Sequence, residues 1–167
     1  MELGRTQKLE IVRMVDFGAY LGTEEEQVLL PKKQVPEGAN VGDEVKVFIY
    51  RDSQDRLIAT VNKPLVELDE TAVLTVKEVS KNGAFLDWGL EKEQTVSIKS
   101  GDKVLVGVYL DKSNRLCATM KAYKFLKCTS TYEPDDVVTG TVYNYNPEYG
   151  VFVAVDNKYH GLVQKKE

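Results

Sequence analysis

The feature that most limits this chain's fold is a stretch it writes twice. "VGDEVKVFIYRDSQDRLIATV", from Val41, lies over "SGDKVLVGVYLDKSNRLCATM", from Ser100, with about half of the positions identical. Gly42–Asp43 matches Gly101–Asp102, and Tyr50, Asp52, Arg56 and Leu57 match Tyr109, Asp111, Arg115 and Leu116. A duplication of this length means that one small unit is built more than once. Within it, Val45, Val47 and Ile49 alternate with Lys46 and Phe48, and Val104, Val106 and Val108 repeat the pattern. Strict alternation predicts half-buried strands. The Gly-Asp pair before each run and "DSQD" or "DKSN" after it are turn chemistry.

A second signature marks three copies rather than two. "DFGAY" (from Asp16), "NGAFLDW" (from Asn82) and "YGVFVAV" (from Tyr149) each place glycine, a small or branched residue, then an aromatic ring. The third copy starts at "DDVVTGTVYNY", and its "GLVQKKE" echoes "VLLPKKQ" of the first. Each full copy reads as strand, turn, strand, strand, loop, strand, turn, strand. Five short strands without a long helical pattern predict a small closed barrel. The expected domains are residues 1–64, 65–126 and, as a partial copy, 133–167. The second linker, "KAYKFLKCTSTYEPDD", has room for one helical turn.

Along an ideal strand Phe17 and Tyr20 face opposite sides. Gly18 allows a bulge that brings both rings to one face. Bases stack on such rings for roughly 1–3 kcal/mol each, with little sequence preference. Lys32, Lys33, Lys165 and Lys166 follow the third strand of their copies, placed to track a phosphate backbone.

Composition sets the alternatives. The net charge of −4 counts against non-specific phosphate binding, though not against a local basic strip. The 167 residues are 43% hydrophobic, enough for one real core or for two to three small ones. No apolar run approaches the roughly 20 residues of a membrane span. The start, "MELGRTQKLE", has no apolar leader, so a cytoplasmic protein is expected. Cys117 and Cys128 lack metal-ligand spacing, and Cys117 takes the place of Ile58, which makes it a small hydrophobe of a barrel wall. There is no nucleophile–base pair, phosphate loop or metal-ligand cluster at recognisable spacing, so no enzyme, metal or cofactor is expected. Glu24–Glu26 reads as a solvated loop tip, Trp88 as core, and His160 as a surface residue without a partner cluster.

The order strand, "FGAY", strand, loop, "VGDEVKVFIY", turn, "RLIAT" resembles the S1 RNA-binding domain, a five-stranded OB-fold barrel. "GAFLDWGLEKE", "GDKVLVGVYLDKSNRLCATMKAYKFL" and "TVYNYNPEYGVFVAVDNKYHGLV" are similar to the conserved virulence factor B family. The resemblance implies tandem S1 barrels followed by a winged-helix domain, and RNA binding. The family's Phe-Gly-Ala-Phe pattern puts two rings on the RNA face. It carries over to Phe17 and Tyr20, and to Tyr149 and Phe152; copy two keeps Phe85 but has Asn82 in place of the first ring. The family's histidine after Gly-Leu-Val is replaced by Pro31, Ser97 and Gln164. Its Asp and Arg of the last turn correspond to Asp52 with Arg56 and Asp111 with Arg115.

The expectation is therefore a non-enzymatic protein that stacks single-stranded RNA on barrel-face aromatics and regulates gene expression after transcription. The virulence-type regulatory role is implied by the resemblance alone. The alternative is a protein-interaction module docking on the ribosome, a polymerase or another protein, a reading the acidic balance favours. Copy two is expected to contribute least to RNA affinity. Copy three stops where full copies continue to a Gly-Asp turn and two more strands. It is expected to be completed by a longer chain or by a neighbour.

Overall fold

The computed structural model describes residues 1–52, 54–80, 83–90 and 101–165. It is nearly all β, with twelve strands and two short 3₁₀ turns among the described residues. Strands β1 (Thr6–Val15), β2 (Gly18–Gly22), β3 (Gln27–Pro31), β4 (Glu44–Arg51) and β5 (Leu57–Thr60) form copy one. Copy two holds β6 (Thr71–Ser80), β7 (Gly83–Leu86), β8 (Lys103–Leu110) and β9 (Leu116–Thr119). Copy three holds β10 (Gly140–Asn146), β11 (Gly150–Val155) and β12 (Tyr159–Gln164). The turn expected after copy two is present as Ala122–Phe125.

Copy one closes into the barrel β1-β2-β3-β5-β4. The alternating residues meet inside it: Ile11, Leu21, Val28, Leu30, Val47 and Ile49 are all essentially inaccessible. Each such side chain contributes roughly 1.5–3 kcal/mol by leaving water. Phe48 belongs to the outer face, yet it too is buried. Its ring stacks on Tyr50 at 6.2 Å and shares a hollow with Val61, Asn62, Lys63 and Glu67 of the first linker. Trp88 is buried as expected, with its indole N–H donating to the Val66 carbonyl at 2.6 Å.

By compactness the chain divides into two units. One is Met1–Leu68 with Trp88–Lys92 and Leu110–Leu116; the other is Asp69–Asp87, Glu93–Tyr109 and Cys117–Glu167. In the second unit β7-β6-β8-β9 form one sheet and β10-β11-β12 another. Leu105 of β8, Ala122, Leu126 and Ala154 of β11 make a core shared by these two sheets. The outer position that Phe48 fills in copy one is Gly107 in copy two. The ring of Phe125 occupies that space, so closely that a Cβ on Gly107 would lie 2.1 Å from it. The aromatic group is kept while its source moves from the strand to the helical turn.

The β-ladder carrying the glycine-aromatic signature is irregular in the same place in every copy. The register slips between Ile11 and Arg13, between Val76 and Glu78, and between Val142 and Asn144. An extra residue on one strand bends it and turns its neighbours. The bulge is therefore on the first strand of each copy, at Val12, Lys77 and Tyr143, and not at Gly18, where the sequence pointed. Gly18 serves another purpose: a Cβ there would lie 2.1 Å from the Leu30 carbonyl oxygen. Only a residue without a side chain lets the strands approach that closely.

Candidate nucleic-acid interface

In copy one the signature places two rings together. Phe17 sits in the β1–β2 turn and is 59% exposed, while Tyr20, on β2, is half-buried. The rings meet edge to face, 6.4 Å between centroids, an arrangement that ring quadrupoles favour. Tyr20 points out of the barrel because Ala19 and Leu21 on either side point in. Its row continues outward across Leu29 and Ile58.

Cations border the rings. The guanidinium of Arg13 lies 4.5 Å from the centroid of the Tyr20 ring. Arg13 faces Tyr20 across the bulged ladder. Sequence reading passed over it, because an arginine in a strand looks like any solvated charge until the register is known. Lys32 and Lys33 are exposed in the 3₁₀ turn after β3, and the Lys32 N–H donates to the Phe17 carbonyl at 3.0 Å. That bond fastens the lysine turn to the turn that carries the ring.

Copy three repeats the frame. Tyr149 is 59% exposed, like Phe17, and Lys165 N–H donates to its carbonyl at 3.3 Å. Phe152 is half-buried on β11. His160 has the partners its sequence context did not show. Its ring stacks on Phe152 at 5.6 Å, and its Nδ1 lies 2.7 Å from the Tyr143 hydroxyl. Burial, with the nearby Cys128 thiol, pushes the Tyr143 phenol up from its ordinary value. In copy two Phe85 is half-buried and faces Glu78 across the ladder. Asn82 lies outside the described residues.

The two Asp–Arg pairs occupy the β4–β5 and β8–β9 turns. Asp52 Oδ1 accepts the N–H groups of Gln54 and Arg56, and its Oδ2 accepts Arg56 Nε at 2.9 Å and Nη2 at 2.7 Å. Asp111 repeats this with Ser113 and Arg115. Burial pushes the Asp52 carboxyl up, but the hydrogen bonds from Arg56 and Gln54 outweigh it and hold it below 3.8. The Arg115 N–H, with that of Ser113 and the Arg115 charge, holds Asp111 below the same value. Both pairs thus staple their hairpins, with each arginine engaged by its own aspartate.

A tandem OB-fold chain with rings and cations on a barrel's outer face is the class these features define. The S1 domain family matches residues 3–62 and 70–121, and the chain belongs to that family. It is 30% identical over 183 residues to the uncharacterized protein YitL of Bacillus subtilis (strain 168), covering all of this chain and 61% of the relative. It is 28% identical over 149 residues to conserved virulence factor B of Staphylococcus haemolyticus (strain JCSC1435), covering 80% of this chain and 50% of the relative. Conserved virulence factor B of Staphylococcus aureus (strain N315) is 26% identical over 184 residues, covering 99% and 61%. The chain therefore spans between half and about three fifths of the length of these relatives. A crystal structure of a multidomain protein with nucleic acid binding domains from Streptococcus pneumoniae TIGR4 shares the fold. Its TM-score is 0.63 at 22% identity, over 97% of this chain and 62% of that one.

Proposed function

We propose that this protein is a non-enzymatic, cytoplasmic binder of single-stranded RNA, built of S1 modules over residues 1–64, 65–126 and 133–167. The observation that carries this reading is the group Phe17, Tyr20 and Arg13 on the outer face of copy one. Two rings offer π-faces to successive bases, and base stacking of this kind tolerates any sequence. Arg13, Lys32 and Lys33 supply the positive charge that a phosphate backbone rewards, in a chain whose net charge is −4. Tyr149, Phe152 and Lys165 are the corresponding residues of copy three, where Phe152 stacks on His160. Phe85 is the signature ring of copy two, and the pairs Asp52–Arg56 and Asp111–Arg115 are the further contacts assigned to the β4–β5 and β8–β9 turns. Regulation of transcripts or of translation is the role we assign to such binding, and the name of the Staphylococcus relatives, conserved virulence factor B, supports a link to virulence.

A second reading is a protein-docking module for the ribosome or the transcription machinery. The acidic balance and Glu78 beside Phe85 favour it. Titration of the chain with a single-stranded oligouridylate and with duplex RNA, each at two salt concentrations, separates the two. RNA binding predicts tighter, salt-sensitive capture of the single strand. Equal indifference to both RNAs contradicts it and leaves protein docking.

A further inference from the structure

The residue that faces the platform ring across the bulge carries a different charge in each copy. It is Arg13 opposite Tyr20, Glu78 opposite Phe85, and Asn144 opposite Phe152. The bulge precedes this residue in all three, so the frame is constant and only the side chain changes. Arg13 is exposed and makes no ion pair among the described residues. Arg56 and Arg115, by contrast, are each engaged by an aspartate. A guanidinium lying over a ring keeps its N–H edge turned outward, where a phosphate can take two donors at once. A carboxylate at the same place repels that phosphate, and an amide does neither.

We propose that this position decides which copies take RNA. Arg13 is a binding residue that pins a phosphate beside the bases stacked on Phe17 and on Tyr20. Glu78 keeps copy two off the strand, and Asn144 leaves copy three to stacking alone. The inference rests on the RNA reading above. It adds a selector that ring count by itself does not provide.

The test is titration of the full chain with a short oligouridylate over a series of salt concentrations. Denaturant midpoints check that each variant is folded, as an exposed Arg13 requires. Arg13→Gln should weaken binding about fivefold and make the salt dependence shallower by about one phosphate. Glu78→Arg should strengthen binding, steepen the salt dependence by about one phosphate, and bring ultraviolet crosslinks to the peptide carrying Phe85. If Arg13→Gln binds like the parent chain while Tyr20→Ala binds weakly, the selector is wrong and base stacking survives. If both variants bind like the parent, the stacking reading falls and the selector falls with it. A Glu78→Arg protein that is folded yet shows no new crosslink also overturns the assignment.

Discussion

Gly18 and Leu30 face each other so closely that a Cβ on Gly18 would lie 2.1 Å from the Leu30 carbonyl oxygen. Copy three repeats the relationship: a Cβ on Gly150 would lie 2.2 Å from the Val163 carbonyl oxygen. The glycine of the signature is therefore a packing requirement that also fixes where the preceding ring stands. Gly18→Ala must push β2 away from β3, at a cost of about 1–3 kcal/mol. The urea midpoint should fall accordingly. RNA affinity should fall as well, because Phe17 hangs from the same turn. An unchanged midpoint would mean that the two strands are free to separate there.

Leu30 and Val163 hold the same register position in copies one and three, opposite Ala19 and Val151. Leu30 is fully buried, whereas Val163 is 59% exposed. Leu30→Ala should cost about 2–5 kcal/mol. Val163→Ala should change stability by no more than about 0.5 kcal/mol. Chemical denaturation of both variants checks the difference. Comparable losses would show that the valine face of copy three is covered in solution.

The Asp–Arg turns give a pH dependence whose sign can be stated. Asp52 and Asp111 are both held below 3.8, so the folded chain binds protons on them less readily than the unfolded chain does. Their stabilisation is complete above 3.8 and is lost as the pH falls through the lower folded-state values. Asp52→Asn should be less stable than the parent at neutral pH. The gap between the two should close on acidification below 3.8. Denaturant midpoints measured from pH 6 downward test this. A gap that stays constant would mean that the carboxylate charge contributes nothing to the turn.

The repeats and their alternating valines were sufficient to read the five-stranded barrel of copy one, and the second linker its helical turn. They did not reveal which strand carries the bulge, because that depends on both partners of the ladder. Phe48 alternates outward, and only the linker that crosses it explains its burial. The exchange of Phe48 for Phe125 over Gly107 is equally invisible until the chain is folded. The equivalent placing of Phe17 with Tyr149, and of Tyr20 with Phe152, was legible because the glycine signature repeats. Arg13 and His160 were not: each acquires its ring partner from a neighbouring strand, through a register that no local pattern encodes.

On the RNA-binding reading, Tyr20 is displayed to stack a base. Tyr20→Ala in the full chain, with urea midpoint and oligouridylate titration on the same sample, tests it most directly. The midpoint should stay close to the parent's while RNA affinity falls by about 1–3 kcal/mol. A folded Tyr20→Ala protein with unchanged RNA affinity would contradict it.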